Sequence, residues 1–189
     1  ENTRTKTTRN SLILLLTAAI WGMAFVSQSK GMDYMHPFTF NGVRSLIGAA
    51  SILVYILISR KIAGDKAAPL DWKLNVKAGL LCGIFLTIAS TLQQFGIKYT
   101  SVGKAGFITT LYIIFVPMFG IFLKKKVAPV VWAAAVMAAV GMYLLCMTES
   151  LRLGAGDIMV FLCAIAFAIQ IMTVDHYAAR IDGAVVSCI

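Results

Sequence analysis

The chain has 189 residues, of which 59% are hydrophobic and 13% are charged, and its net charge is +9. This balance is far from that of a soluble domain, and the apolar residues fall into separate long runs. The basic residues lie in short clusters between those runs and form no stripe, which argues against a nucleic-acid-binding domain.

Cysteine usage and short motifs point away from catalysis. Cys82, Cys146, Cys163 and Cys188 lie in or beside apolar runs, and their spacing matches neither a metal site nor a disulfide pattern. We interpret them as small apolar packing residues. Because no P-loop, nucleophile elbow or metalloprotease His-Glu pair occurs, we predict that the chain is not an enzyme and holds no cofactor or metal.

The apolar runs predict an all-α integral membrane protein that forms a multi-span helical bundle. Each of the first six is long enough to cross a hydrocarbon core of about 30 Å. These six complete spans are expected at about 11–29, 37–58, 76–97, 102–123, 129–147 and 157–175. A seventh apolar run begins at Gly183 and stops at Ile189, so we expect the chain to be incomplete.

Lysine and arginine are distributed unequally over the connections between these spans. Assigning alternate connections to alternate sides places twelve on the side of the N-terminus and four on the other, with Arg44 inside a span. The triplet Lys124–Lys126 contributes strongly to this asymmetry. Because basic connections stay in the cytoplasm, we predict a multi-pass protein of the plasma membrane with a cytoplasmic N-terminus.

A run of glycine, hydroxyl and aromatic residues leads into the fourth span and ends at a proline inside it. Its members are Gly96, Tyr99, Thr100, Ser101, Gly103, Lys104, Ala105, Phe107, Ile108, Thr109 and Pro117. Together with Ala19–Gly22 and Arg44–Gly48, this pattern resembles the EamA-type transporters of the drug/metabolite transporter superfamily. The resemblance covers most of residues 11–175. It implies ten spans in two repeats and the export of metabolites or drugs, often amino-acid-like compounds.

A second copy of the first span is predicted 146 residues later in the chain. This offset pairs Leu16 with Leu162, Ala18 with Ala164, Trp21 with Phe167 and Ser27 with Thr173. Since the offset equals five spans, an odd number, the second copy enters the membrane from the opposite side, as in inverted-repeat transporters. We therefore expect a first five-helix repeat in residues 1–150. Residues 151–189 would hold the first span of the second repeat and the truncated start of the next.

Pro117 lies inside the fourth span, where it removes a backbone hydrogen bond and crowds the carbonyl of Ile113. Bent or broken helices are the usual moving parts of transporters. We therefore predict a hinge at Pro117, and we expect the half of the span nearer Lys124 to act as a gate.

Polar and aromatic residues recur at helical spacing in four spans, which is more than helix packing requires. The predicted cavity residues are Thr17, Trp21, Asn41, Arg44, Thr87, Ser90, Gln94, Thr109, Tyr112 and Gln170. Each type of side chain in this set also has a purely structural interpretation. Hydroxyl groups also bond the carbonyl one turn earlier, Trp21 also fits ordinary packing, Gln94 also fits a water-facing position, and Gln170 also fits a bond between helices. The fifth span has almost no polar side chain and is predicted to be peripheral.

Of these residues, Arg44 has the highest free-energy cost of placement inside the membrane, because its side chain is charged. It lies about seven residues inside its span, roughly 10 Å deep, where a charge costs about 2.5–3.5 kcal/mol. It either faces the cavity and attracts a carboxylate-bearing solute, or extends outward to lipid headgroups. No Asp or Glu lies deep in any predicted span, which excludes proton exchange of the small-multidrug type.

These patterns favour a secondary transporter or facilitator of small organic solutes that works by alternating access. The alternative is a non-transporting membrane scaffold or assembly partner, in which the same polar residues would pack dry between helices. The partners to test are a small organic solute, the lipid bilayer and a second copy of the chain; nucleic acid is not expected.

Overall fold

The computed structural model describes residues 3–64, 70–123, 127–146 and 154–189, and all regular structure in these ranges is helical. Lys124–Lys126, Lys66 and Arg152, on which the charge asymmetry partly depends, lie outside the described residues. The helices are α1 (Thr3–Gly31), α2 (Pro37–Ala63), α3 (Trp72–Tyr99), α4 (Val102–Thr110), α5 (Tyr112–Phe122), α6 (Pro129–Cys146), α7 (Ala155–Tyr177) and α8 (Gly183–Cys188).

Five helical segments of the described chain are long and apolar enough to cross a membrane. They are Thr7–Gly31, Pro37–Ile62, Trp72–Tyr99, Val102–Phe122 and Ala155–Tyr177. In α6 the qualifying apolar stretch, Pro129–Gly141, is shorter. The prediction of an all-helical membrane protein is confirmed, while six spans and inverted repeats stay predictions.

Several helices begin at a side chain that accepts hydrogen bonds from their first free N–H groups. Asp71 accepts from Leu74 N at 3.1 Å at the start of α3, and Asp182 accepts from Ala184 N at 3.0 Å at the start of α8. Ser and Asp are favoured at this position because they satisfy donors that have no partner inside the helix. Ser101 caps α4 in the same way, through Lys104 N at 3.2 Å.

The fourth predicted span is interrupted at Leu111, between α4 and α5. The N–H of Leu111 donates to Ile108 O at 3.2 Å, and the Leu111 carbonyl accepts from Ile114 N at 2.9 Å. These tighter bonds between residues three apart mark a local 3₁₀ turn. Pro117 lies six residues later, buried inside α5. The predicted hinge at Pro117 therefore stays a prediction, next to an observed helix break.

Helix α7 occupies the centre of the bundle and packs against α3, α4 and α5. Its buried face includes small residues such as Gly156, Ala164 and Ala168, which let neighbouring backbones approach. Around it, α8 packs on α2 and α3, and α6 packs on α4 and α5.

The crossing of α3 and α7 depends on two glycines. A Cβ atom added at Gly156 would lie 2.7 Å from the Tyr99 carbonyl carbon and 2.8 Å from Gly96 O. A Cβ atom added at Gly96 would lie 2.4 Å from Val160 Cγ2. With a larger residue at Gly96 or Gly156, α3 and α7 could not approach each other this closely.

Candidate solute site

Three buried amide side chains lie near the ends of α1 and α3 and near the start of α2. Gln28, Asn41 and Gln94 are only 5%, 9% and 0% exposed. Gln94 Nε2 donates to the backbone carbonyl of Gln28 at 3.3 Å, which joins α3 to α1. Asn41 Nδ2 donates to the backbone carbonyl of Ser90 at 3.2 Å, which joins α2 to α3.

Each of these three residues also has a buried side-chain oxygen without a hydrogen-bond partner among the described residues. These atoms are Gln28 Oε1, Asn41 Oδ1 and Gln94 Oε1. A buried acceptor left unpaired costs about 1–3 kcal/mol. Packing alone therefore does not explain why all three oxygens are left unpaired. Asn41 and Gln94 were predicted cavity residues. Gln28 lies on the same face of α1 as Thr17 and Trp21, but it was not predicted to line the cavity.

A second buried polar contact joins α3 and α4. Gln93 Nε2 donates to Thr109 Oγ1 at 3.2 Å. Thr109 was a predicted site residue, but Gln93 was not. Neighbouring helix positions differ by about 100°, so Gln93 faces α4 while Gln94 faces α1. The two consecutive glutamines in an apolar span were the sequence signal from which Gln93 could have been predicted as a buried polar residue.

Aromatic rings form an apolar wall between α1, α5 and α7. The ring of Phe167 lies 6.4 Å from that of Trp21 and 6.4 Å from that of Tyr112, centroid to centroid. Trp21 and Tyr112 were predicted to line a cavity. Phe167 was noted only as the residue paired with Trp21 by the 146-residue offset. Trp21 remains 52% exposed, so part of its ring is free to meet another molecule.

Other predicted residues lie away from these groups. Thr17 is exposed and its hydroxyl donates to Ile13 O at 2.8 Å, which is the structural alternative for a hydroxyl in a helix. Ser90 Oγ likewise donates to Thr87 O at 3.3 Å. Thr87 lines a separate groove of about 360 Å³ that also contains Gly83 and Ile189.

Arg44 and Gln170 complete the predicted set. Arg44 is exposed on α2, and its guanidinium carbon lies 5.9 Å from the centre of the Phe40 ring. Gln170 is half-buried on α7. This placement keeps both alternatives for Arg44 open, because an exposed side chain on α2 can meet either a solute or a lipid headgroup.

The turn between α3 and α4 is tied to the start of α7 by a buried carboxylate. Asp157 Oδ2 accepts from Gly154 N at 2.9 Å and lies 3.8 Å from Lys104 Nζ, while Thr100 Oγ1 donates to Asp157 Oδ1. Asp157 stands at the start of the sixth predicted span and was not among the predicted site residues. Thr100 and Lys104 belong to the motif that carries the family resemblance, and this contact gives those two residues a structural role.

At the opposite end of the bundle, Asp182 positions α8. Its N–H donates to Asn75 Oδ1 at 2.9 Å, and its carboxylate lies 3.6 Å from the Arg60 guanidinium. Asn75 is buried and donates to Asp71 O at 2.8 Å. These contacts are structural, and no group of three or more His, Cys, Asp or Glu side chains suited to a metal ion occurs in the described ranges.

Comparison with known proteins agrees with this architecture. The EamA-like transporter family matches residues 9–147. An uncharacterized transporter from Archaeoglobus fulgidus is 31% identical over 171 residues, which cover 87% of this chain and 48% of that protein. The chain thus spans about half the length of this relative. No solved structure matches the chain.

Proposed function

The chain belongs to the EamA-like transporter family, and from this membership we propose that it exports small organic metabolites or drugs by alternating access. One observation carries the proposal. The rings of Trp21 in α1 and Phe167 in α7 are in contact, with centroids 6.4 Å apart, and the two residues are separated by the 146-residue offset. Residues that are equivalent in two inverted repeats and touch each other lie on the axis relating the repeats. That axis passes through the midplane region where such transporters bind their substrates.

Helix boundaries support the same offset. Helix α1 ends at Gly31 and α7 ends at Tyr177, while α2 begins at Pro37 and α8 begins at Gly183. Both pairs of boundaries differ by 146 residues, and both connections therefore contain five residues. We propose on this basis that residues 1–150 form the first of two inverted five-helix repeats and that α7 begins the second.

In this proposal the aromatic wall and the buried polar contacts line the solute path. Trp21 and Tyr112 supply apolar surface, and Thr109 and Gln94 supply hydrogen-bonding groups from the two helices that enclose it. Arg44 attracts a carboxylate of the solute from the half of the membrane away from the cytoplasm. The excess of lysine and arginine in the connections on the side of the N-terminus supports a cytoplasmic N-terminus in the plasma membrane.

The test is solute uptake and efflux by the full-length protein reconstituted in lipid vesicles. A panel of metabolites with and without a carboxylate is measured with and without a pH gradient, and protein-free vesicles serve as the control. We expect saturable movement of some carboxylate-bearing solutes. Absence of saturable movement for every solute, from protein that is folded and inserted, would favour the membrane scaffold instead.

A further inference from the structure

We propose that the ion pair between Arg60 and Asp182 is a releasable latch, and that α8 moves away from α2 when this latch opens while the start of α7 stays fixed. The inference rests on the proposed transport function for its purpose, because alternating access requires the solute path to open at one end of the bundle at a time. The movement itself can be measured without transport.

Two ion pairs of the described residues join α7 and α8 to the helices before them, at opposite ends of the bundle. Lys104 Nζ lies 3.8 Å from Asp157 Oδ2 near the start of α7. A guanidinium nitrogen of Arg60 lies 3.6 Å from Asp182 Oδ2 at the start of α8. Since the stretch 157–177 of α7 corresponds to roughly 30 Å of helix, one pair can open while the other stays closed.

The ion pair at the start of α7 belongs to a buried and closely packed contact. The side chains of Lys104 and Asp157 are 20% and 5% exposed, and Thr100 donates a further hydrogen bond to the carboxylate. The crossing of Gly96 and Gly156 lies at the same end, where α3 and α7 leave no room for a Cβ atom. Separating the helices here would leave a buried charge without its partner, which is costly. This end is therefore the fixed one.

The latch at the start of α8 is open to solvent. The side chains of Arg60 and Asp182 are 37% and 41% exposed, so water can replace each partner at little cost, as in other exposed ion pairs. Asp182 N also donates to Asn75 Oδ1 at 2.9 Å, which ties the start of α8 to α3. The charged groups that hold α8 here are thus more accessible than those that hold the start of α7.

Both partners of the latch keep a stabilising role in their own helices after release. Asp182 Oδ1 accepts from Ala184 N at 3.0 Å and from Val185 N at 3.3 Å, while Oδ2 faces Arg60. Arg60 lies in the last turn of α2, where the negative end of the helix dipole favours a cation. Opening the latch therefore removes neither the cap of α8 nor the favourable charge at the end of α2.

Cys188 can report whether α8 and α2 are in contact. Its Sγ lies 3.6 Å from Ala49 O on α2, and the residue is half-buried. Alkylation requires the thiolate, so the reaction is slow until water reaches the sulfur. Cys163, which is fully buried on α7, is an internal reference, because it becomes reactive only if the central helix itself loosens.

The experiment measures the rate at which N-ethylmaleimide alkylates Cys188 and Cys163 in the purified full-length protein, by mass spectrometry of the peptides. Asp182→Asn keeps an oxygen that can cap α8 and removes the charge that faces Arg60. We expect this variant to react about two- to fivefold faster at Cys188, as loss of an exposed ion pair predicts, and at the unmodified rate at Cys163.

Three further variants test the assignment. Arg60→Gln should accelerate Cys188 as much as Asp182→Asn, and the double variant should add nothing, because both changes remove one interaction. Lys61→Gln, the matched control at the neighbouring exposed cation, should react at the unmodified rate. Asp157→Asn should leave Cys188 unchanged, or accelerate Cys188 and Cys163 together if it loosens the fold.

Unchanged alkylation of Cys188 in either Asp182→Asn or Arg60→Gln would overturn the proposal. Equal acceleration of Cys163 in these variants would overturn it as well, since that result indicates loosening of the whole bundle. Acceleration of Cys188 alone in Asp157→Asn would show that the start of α7 is not the fixed end. Faster alkylation of Cys188 in a protein that transports no solute would count against the proposed function and leave the latch standing.

Discussion

Lys104 Nζ lies 3.8 Å from Asp157 Oδ2, so the first turn of α4 is joined to the first turn of α7. Asp157 also accepts hydrogen bonds from Thr100 and from the backbone of Gly154. This one buried carboxylate therefore holds together the turn between α3 and α4 and the central helix.

Replacing Asp157 should destabilise the fold more than replacing any exposed carboxylate. Removing one partner of a buried charged pair costs about 3–5 kcal/mol. We expect Asp157→Ala to lower the free energy of unfolding by that order, measured by denaturant titration in detergent. Asp33→Ala, in the exposed connection after α1, is the matched control and should change it by less than about 0.5 kcal/mol. Equal effects of the two changes would contradict this role for Asp157.

Adding a methyl group at the crossing of α3 and α7 should push the two helices apart. At Gly156 the new Cβ would meet backbone atoms at 2.7 and 2.8 Å, whereas at Gly96 the nearest atom belongs to the Val160 side chain. We expect Gly156→Ala to cost about 1–3 kcal/mol or more, and Gly96→Ala to cost less. Gly106→Ala, with no atom within 4 Å of the new Cβ, should be neutral or stabilising. Thermal unfolding of the three variants gives this order, and a destabilising Gly106→Ala would argue against it.

Changing Arg44 should alter transport and leave stability nearly unchanged. The side chain is exposed, and among the described residues its recorded contact is with the Phe40 ring. If it attracts a carboxylate of the solute, Arg44→Gln should reduce vesicle transport roughly tenfold or more. Arg44→Lys should recover only part of the activity, because lysine lacks the planar fork. Lys61→Gln, near the other end of α2, serves as the control. Normal transport by Arg44→Gln across the whole panel would make Arg44 a headgroup anchor.

Replacing Pro117 should stiffen the fourth span. Alanine restores an N–H that can donate to the carbonyl of Ile113 and removes the ring that crowds it. We expect Pro117→Ala to raise the unfolding temperature and to slow transport turnover, if this half of the span moves as a gate. Pro129→Ala, at the first residue of α6 where proline is tolerated, should change neither quantity. Unchanged turnover in Pro117→Ala would remove Pro117 from the mechanism.

The positions of the spans follow closely from the sequence because each membrane helix satisfies its own backbone hydrogen bonds. Pro37 and Pro129 begin α2 and α6 at the residues expected from the sequence. The interruption at Leu111 was not expected, since the visible signal, Pro117, lies six residues later. A proline marks where a backbone hydrogen bond is lost, and this position need not coincide with the residue at which the helix is interrupted.

The candidate site was only partly predictable, as the two ends of one helix face illustrate. Thr17 and Gln28 share a face of α1, yet Thr17 is exposed and bonds its own helix, while Gln28 is buried against α3. Helical spacing indicates which residues share a face. It does not indicate which neighbour covers that face at each depth.

The sequence by itself determined that the chain is an all-helical membrane protein, because long apolar runs in lipid can only be helices that bond internally. Its motifs also indicated the transporter family. Only the tertiary structure decided that α7 lies at the centre, that Gln28 and Asn41 are each hydrogen-bonded to α3, and that Asp157 holds Thr100 and Lys104. The reason is physical. Apolar helices gain little hydrophobic energy by leaving lipid for one another, so close backbone approach at Gly96 and Gly156 and a few buried hydrogen bonds select the arrangement.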